Sequence, residues 1–200
     1  MLDIKEILEV AKIHPYRAIS AYVYGSRIYG TSDENSDWDI SVIAKTSVEA
    51  IELKTDQFNI HVYTWDRWVA DLEWHNPKNL ECHLAPERAI LLEKQRHNLT
   101  INEARLRHAV CHVSSNSWVK ARKKLEGGEY RTGVKSLFHS IRIPMFGSQI
   151  AQTGVIGDFS CANEIWKEID SKQWDWTSLD ERFRKDKNSV LTEFRKYAAK

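Results

Sequence analysis

The strongest constraint on this chain is a strand that runs into Gly25-Ser26, followed by a second strand that begins with Asp37 and Asp39. Ile19 to Tyr24 is aromatic, β-branched and small, the texture of an extended segment. After the Gly-Ser turn and a short helical or looped stretch, a second strand is expected from the two aspartates to roughly Ala44. Residues two apart in a strand project to the same side, so Asp37 and Asp39 point together while Trp38 and Ile40 face the other way. Two neighbouring carboxylates repel each other unless a cation neutralises them, and a hard divalent ion such as Mg²⁺ suits oxygen ligands. Gly25 lets the backbone approach a ligand closely, and the Ser26 hydroxyl and the amides after it offer donors to an anion. Anion donors at one strand end and metal ligands at the next are what a nucleoside triphosphate with its Mg²⁺ requires.

Gly25-Ser26, ten residues, then Asp37-x-Asp39 resembles the signature of the DNA polymerase β-like nucleotidyltransferase superfamily, in its small stand-alone bacterial and phage members. Arg27-x-Tyr29-Gly30-Thr31 and Ser36 sharpen the resemblance. It implies an α+β fold: a small mixed sheet with helices, followed by a helical part. It also implies transfer of a nucleoside monophosphate from an NTP to an acceptor hydroxyl, with pyrophosphate leaving. In that reading Asp37 and Asp39 hold two Mg²⁺ ions, while Gly25, Ser26 and Arg27 hold the triphosphate. The resemblance extends to a segment like Asn76-Pro77 to Leu80-Glu81 and to a Lys-x-x-x-His-x-x-Arg helix, here Lys135, His139 and Arg142. Those three share one helix face, so Lys135 and Arg142 join the expected nucleotide contacts. The acceptor is RNA, a protein side chain or a small molecule; the residues do not choose.

A third strand, Gln57 to Thr64, alternates Phe58, Ile60 and Val62 against Asn59, His61 and Tyr63. The superfamily normally carries a third carboxylate there, and this chain offers Asn59 or His61 instead. Of the two, His61 is able to act as a base near neutrality, and imidazole suits softer metals better than it suits Mg²⁺. Weak or Mn²⁺-dependent activity is therefore expected, with His61 in the catalytic set. The departure keeps a second class of function open: a nucleotide-binding module that has lost its chemistry. A nucleic-acid-binding protein without catalysis is a third, resting on the basic run Lys120 to Lys124 and on eight tryptophans.

The rest of the chain is expected as follows. A helix runs from Asp3, its N-cap, to His14, closed by Pro15; a short helix or turn covers Ser47 to Leu53. An amphipathic helix spans Trp65 to Trp74 and breaks at Asn76-Pro77, before a short helix or turn at Asn79 to Leu84 and a brief strand at Ala89 to Leu92. Longer helical periods follow: Asn102 to Leu125, Tyr130 to Ile143 with an interruption at Pro144 and a resumption to Gln152, Cys161 to Lys172, and Leu179 to Ala199. These place a catalytic domain at residues 1–95 and a helical domain at 96–200. With 29 Lys and Arg against 28 Asp and Glu, no global basic field favours nucleic acid. Three scattered cysteines and a charged N-terminus predict a reduced, cytoplasmic protein, and no apolar run reaches the roughly 20 residues of a membrane span.

Overall fold

The computed structural model describes residues 2–47 and 51–198, and the chain divides into two compact units, Met1–Thr100 and Ile101–Lys200. The first unit is α+β. It comprises α1 (Ile4–Val10), β1 (Ala18–Tyr24), α2 (Ser26–Tyr29), β2 (Trp38–Ala44), β3 (Ile51–Lys54), β4 (Phe58–Thr64), α3 (Trp65–Glu73), α4 (Pro77–His83) and β5 (Ile90–Glu93). The strands form a five-stranded mixed sheet in the order β3-β4-β2-β1-β5, with β2 and β4 parallel and the other pairs antiparallel. One face is apolar: Ala21, Ile40, Val42, Phe58, Ile60 and Val62 pack with Ile7, Leu8 and Ala11 from α1 and its C-cap. The other face is polar where Tyr24, Asp39 and Asn59 line up across β1, β2 and β4. Further along it carries Tyr22, Ser41 and His61.

Three expectations for this unit change. The helix opened by Asp3, whose carboxylate accepts from the Lys5 amide at 2.8 Å, ends at Val10 rather than near His14. Lys12 turns into the left-handed region (φ 55°), and the Ile13 and Lys12 amides bond back to the Leu8 and Glu9 carbonyls. That is a Schellman ending, reached before Pro15 acts. Ile51–Lys54, expected as part of a helix or turn, is an edge strand pairing antiparallel with β4; residues 48–50 of that expectation lie outside the described residues. Only four residues long, with Glu52 and Lys54 upon it, β3 has the length and charge with which natural sheets blunt an edge. The expected second strand also starts one residue late: Asp37 precedes β2, and Trp38 is its first residue.

The second unit is helical: α5 (Glu103–Glu126), α6 (Tyr130–Thr153), α7 (Asn163–Asp170) and α8 (Trp176–Tyr197). Its core joins Leu106 and Val110 of α5, Leu137, Ile141 and Phe146 of α6, and Leu179, Phe183 and Phe194 of α8, all buried. Pro144 does not interrupt α6, which runs through it without a break. A helical proline cannot donate to the carbonyl four residues back, here Ser140. That carbonyl instead accepts the hydroxyl of Ser114 on α5, fully buried, at 2.6 Å. Ser114→Ala is therefore expected to leave the Ser140 carbonyl buried without its donor and to destabilise the fold by about 1–3 kcal/mol. The shift of the denaturant midpoint measures it, and an unchanged midpoint would mean that the helix tolerates the proline unaided.

Candidate active site

The site is built where β1 ends and β2 begins. β1 delivers the chain into Gly25, which N-caps α2 at φ 81° and ψ −159°, a conformation that is essentially glycine's alone. Across the antiparallel pair, Tyr24 faces Asp39. The Asp39 carboxylate lies hard against Gly25: a Cβ placed there would sit 2.3 Å from Asp39 Oδ2. On the other side Asn59, the register partner of Asp39 on β4, donates from Nδ2 to Asp39 Oδ1 at 3.0 Å. Asp39 is thus positioned by both neighbouring strands. Ser26 opens α2, half-buried, and among the described residues its hydroxyl engages no partner.

Arg27 lies elsewhere than its expected role suggests. Its guanidinium donates to the carbonyls of Ser36 and Asp37, the latter at 3.3 Å from Nε, and it stacks over the Trp38 ring at 4.2 Å. Trp38 packs against the apolar core, so Arg27 clamps the loop that carries Asp37 from the side opposite the Asp39 carboxylate. The same loop is ordered from within, because Ser36 Oγ donates to Asp33 Oδ1 at 2.8 Å.

Register separates the two candidates on β4. Asn59 is paired with Asp39; His61 is paired with Ser41, two residues further along the face. His61 also lies 3.6 Å from Glu52 on β3. Burial, reinforced by the charge of Lys78, pushes the His61 imidazole down to about 4, so it is neutral at physiological pH. Asn59 Oδ1 is buried and makes no hydrogen bond among the described residues, a spare acceptor on the amide that holds Asp39.

Two further side chains, both in the Asn76-to-Glu81 segment and given no role by the sequence alone, belong to this region. Glu81 on α4 is buried and accepts a hydrogen bond from the Tyr29 hydroxyl, tying the Asn76-to-Glu81 segment to the turn after Gly25-Ser26. Lys78, also on α4, holds its ammonium 4.7 Å from the centre of the Tyr24 ring and 5.4 Å from that of Tyr63. The segment stands out in the sequence, but no local pattern gives either side chain its role. A lysine after Asn-Pro reads as solvated until the sheet beneath it is known.

Lys135 and Arg142 belong to the second unit. Lys135 is exposed on α6, whereas Arg142 is 3% exposed, lies over the Phe146 ring and donates to His139 Nδ1 at 3.4 Å. His139 is pushed down to about 3 by burial and by the adjacent Arg142. The stripe shared by the three residues therefore passes from solvent into the helical core.

If a metal binds here, the donors available would be the carboxylates of Asp37 and Asp39 and the amide oxygen of Asn59, hard oxygen ligands of the kind that suits a divalent cation such as Mg²⁺ or Mn²⁺. Among the described residues no group of three or more His, Cys, Asp and Glu is arranged to hold a metal.

No family model and no curated protein matches the chain. Among solved structures it is similar to spectinomycin adenyltransferase AAD(9) from Enterococcus faecialis, solved with ATP and spectinomycin, with a TM-score of 0.51 at 12% identity over 96% of this chain and 97% of that one. A nucleotidyltransferase-like protein from Exiguobacterium sibiricum aligns over 96% of this chain and 76% of its own, at 12% identity and a TM-score of 0.35. The fold is of the nucleotidyltransferase type, a mixed sheet with helices followed by a helical part. Among the described residues no helix is long and apolar enough to cross a membrane.

Proposed function

We propose that the chain is a metal-dependent nucleotidyltransferase that moves a nucleoside monophosphate from an NTP to an acceptor hydroxyl. The observation that carries this reading is the Asp39 carboxylate seated between Gly25 and the Asn59 amide, one residue past Trp38 and two past Asp37. Asp37 and Asp39 would hold the divalent metal, which when bound withdraws charge from the transferring phosphoryl group. The chain's own part is positioning. Gly25 leaves room for the Asp39 carboxylate, the Ser26 hydroxyl is available to a phosphate oxygen, and Arg27 fixes the loop bearing Asp37. The ATP in the AAD(9) structure and its small-molecule acceptor are in keeping with an NTP donor here.

For the proton of the acceptor hydroxyl, His61 remains the candidate base: neutral at physiological pH, though at about 4 a weaker one than an ordinary imidazole. The test incubates the protein with each labelled NTP, Mg²⁺ or Mn²⁺, and RNA, protein and small-molecule acceptors, and reads label transfer. Binding without transfer under every metal would favour the second reading, a nucleotide-binding module, which Asn59 in place of a carboxylate supports.

Asn59→Asp is the informative variant. It sets a second carboxylate about 3 Å from Asp39 Oδ1, where two negative charges repel without a cation. The expected result is a fold about 1–3 kcal/mol less stable in chelator, largely restored by Mg²⁺, together with faster Mg²⁺-supported transfer. Melting curves with and without Mg²⁺ decide it; a loss of stability that Mg²⁺ does not reverse would remove Asn59 from the metal site.

A further inference from the structure

The sheet face that carries Asp39 also carries an ammonium group. Lys78 sits in the first turn of α4, its amide bonded to Asn76 Oδ1 at 3.1 Å, and its side chain reaches over the Tyr24 ring. Tyr24 is the register neighbour of Asp39, and Asp39 acts on the ammonium electrostatically, so the charge lies over the sheet face that carries the carboxylate. Asp39, Glu52 and Asp71 are within electrostatic range of it, yet among the described residues Lys78 forms no ion pair. Burial pushes its ammonium down to about 8. A half-buried charge over ring faces with no ion pair is a cost to the folded chain unless something anionic completes it.

The metal donors have the complementary shortage. With Asn59 on β4 where a third carboxylate would stand, the charged ligands are Asp37 and Asp39, too few for two divalent ions side by side. A polyphosphate brings the missing negative charge. An ammonium, a compact point charge with three donors, suits its non-bridging oxygens.

We infer that Lys78 is a phosphate-binding residue of the nucleotide site and that, beside it, Asp37 and Asp39 hold a single divalent cation. The inference rests on the nucleotidyltransferase reading and deepens it. It assigns to a fixed side chain part of the charge that a second metal ion would otherwise neutralise.

The test uses the full chain and three measurements. The first is affinity for inorganic tripolyphosphate and for each of the four NTPs in chelator. The second is the melting temperature of Lys78→Met. The third is the number of Mn²⁺ ions bound per chain with a non-hydrolysable ATP analogue, counted by electron paramagnetic resonance. Expected are a roughly 10- to 100-fold weaker affinity in Lys78→Met, a smaller loss in Lys78→Arg, a melting temperature no lower than that of the wild type, and one Mn²⁺ per chain. Unchanged affinity in Lys78→Met, or a lowered melting temperature with affinity intact, would show Lys78 to be a ring anchor and overturn the assignment. Two Mn²⁺ per chain would overturn the single-ion arrangement. If Lys78→Met does not fold, Lys78→Gln and Lys78→Arg carry the same comparison. A wild type that transfers label while Lys78→Met binds equally well sinks the inference alone. A wild type that binds neither tripolyphosphate nor any NTP, with or without Mn²⁺, sinks the nucleotide reading and the inference with it.

Discussion

Asp39→Asn is expected to slow label transfer on the order of 10³-fold while leaving the fold in place. The substitution keeps the shape that the site has built around this side chain. An Asn at 39 still fits beside Gly25, where Oδ2 now lies, and still meets the Asn59 amide, where Oδ1 now accepts at 3.0 Å. What it removes is one of the two charges expected to hold the metal, and a lost ligand of that kind takes several kcal/mol from the transition state. Stability should be unchanged or slightly higher, because the repulsion between positions 37 and 39 is relieved. Asp37→Asn should lose a similar factor, although its backbone rather than its side chain is the part held by Arg27. The comparison is of initial rates on the acceptor that the transfer screen identifies, with circular dichroism to confirm the fold. Near-wild-type transfer by either variant would mean that the carboxylates hold no catalytic metal.

The centre of this site is legible in the sequence because it depends on short-range rules. A strand ending in Gly-Ser and a second beginning near Asp-x-Asp need only the two-residue period and glycine's backbone freedom, and β1, α2 and β2 follow. Asp3 as N-cap and the stop at Asn76-Pro77 are equally local. What escapes depends on neighbours distant in sequence. Pro144 looks like a helix breaker until Ser114, thirty residues earlier, is found bonded to the Ser140 carbonyl. Period two puts Asn59 and His61 on the same face and has no means of choosing between them; the parallel register with β2 pairs Asn59 with Asp39. Arg27, beside the Gly-Ser turn, reads as a phosphate contact, but Trp38 on the opposite side of the strand offers its ring and the loop carbonyls offer acceptors. Lys78 gets no role from its segment, because the two tyrosine rings beneath its ammonium come from different strands.

Gly25→Ala is expected to be the most damaging small substitution in the first unit, for two separable reasons. The backbone at φ 81° and ψ −159° is strained for any residue with a Cβ, and the new Cβ would stand 2.3 Å from Asp39 Oδ2 and 3.1 Å from Asp39 Cβ. Strain and overpacking together should cost about 2–5 kcal/mol of stability. Transfer should fall by about 100-fold or more, because a carboxylate pushed aside by an ångström no longer presents its oxygens where the metal and phosphate meet. The two reasons are distinguished by placing Gly25→Ala in an Asp39→Ala background, where Oδ2 is gone but the backbone angle is not. There the cost of the alanine should shrink by about 1–2 kcal/mol without disappearing, the sub-additivity expected of residues in direct contact. Denaturant midpoints of the wild type, both single variants and the double variant supply the numbers. Strictly additive costs would mean that strain alone makes Gly25 necessary. The turn would then not hold Asp39 in place, and the close approach would be incidental to the site.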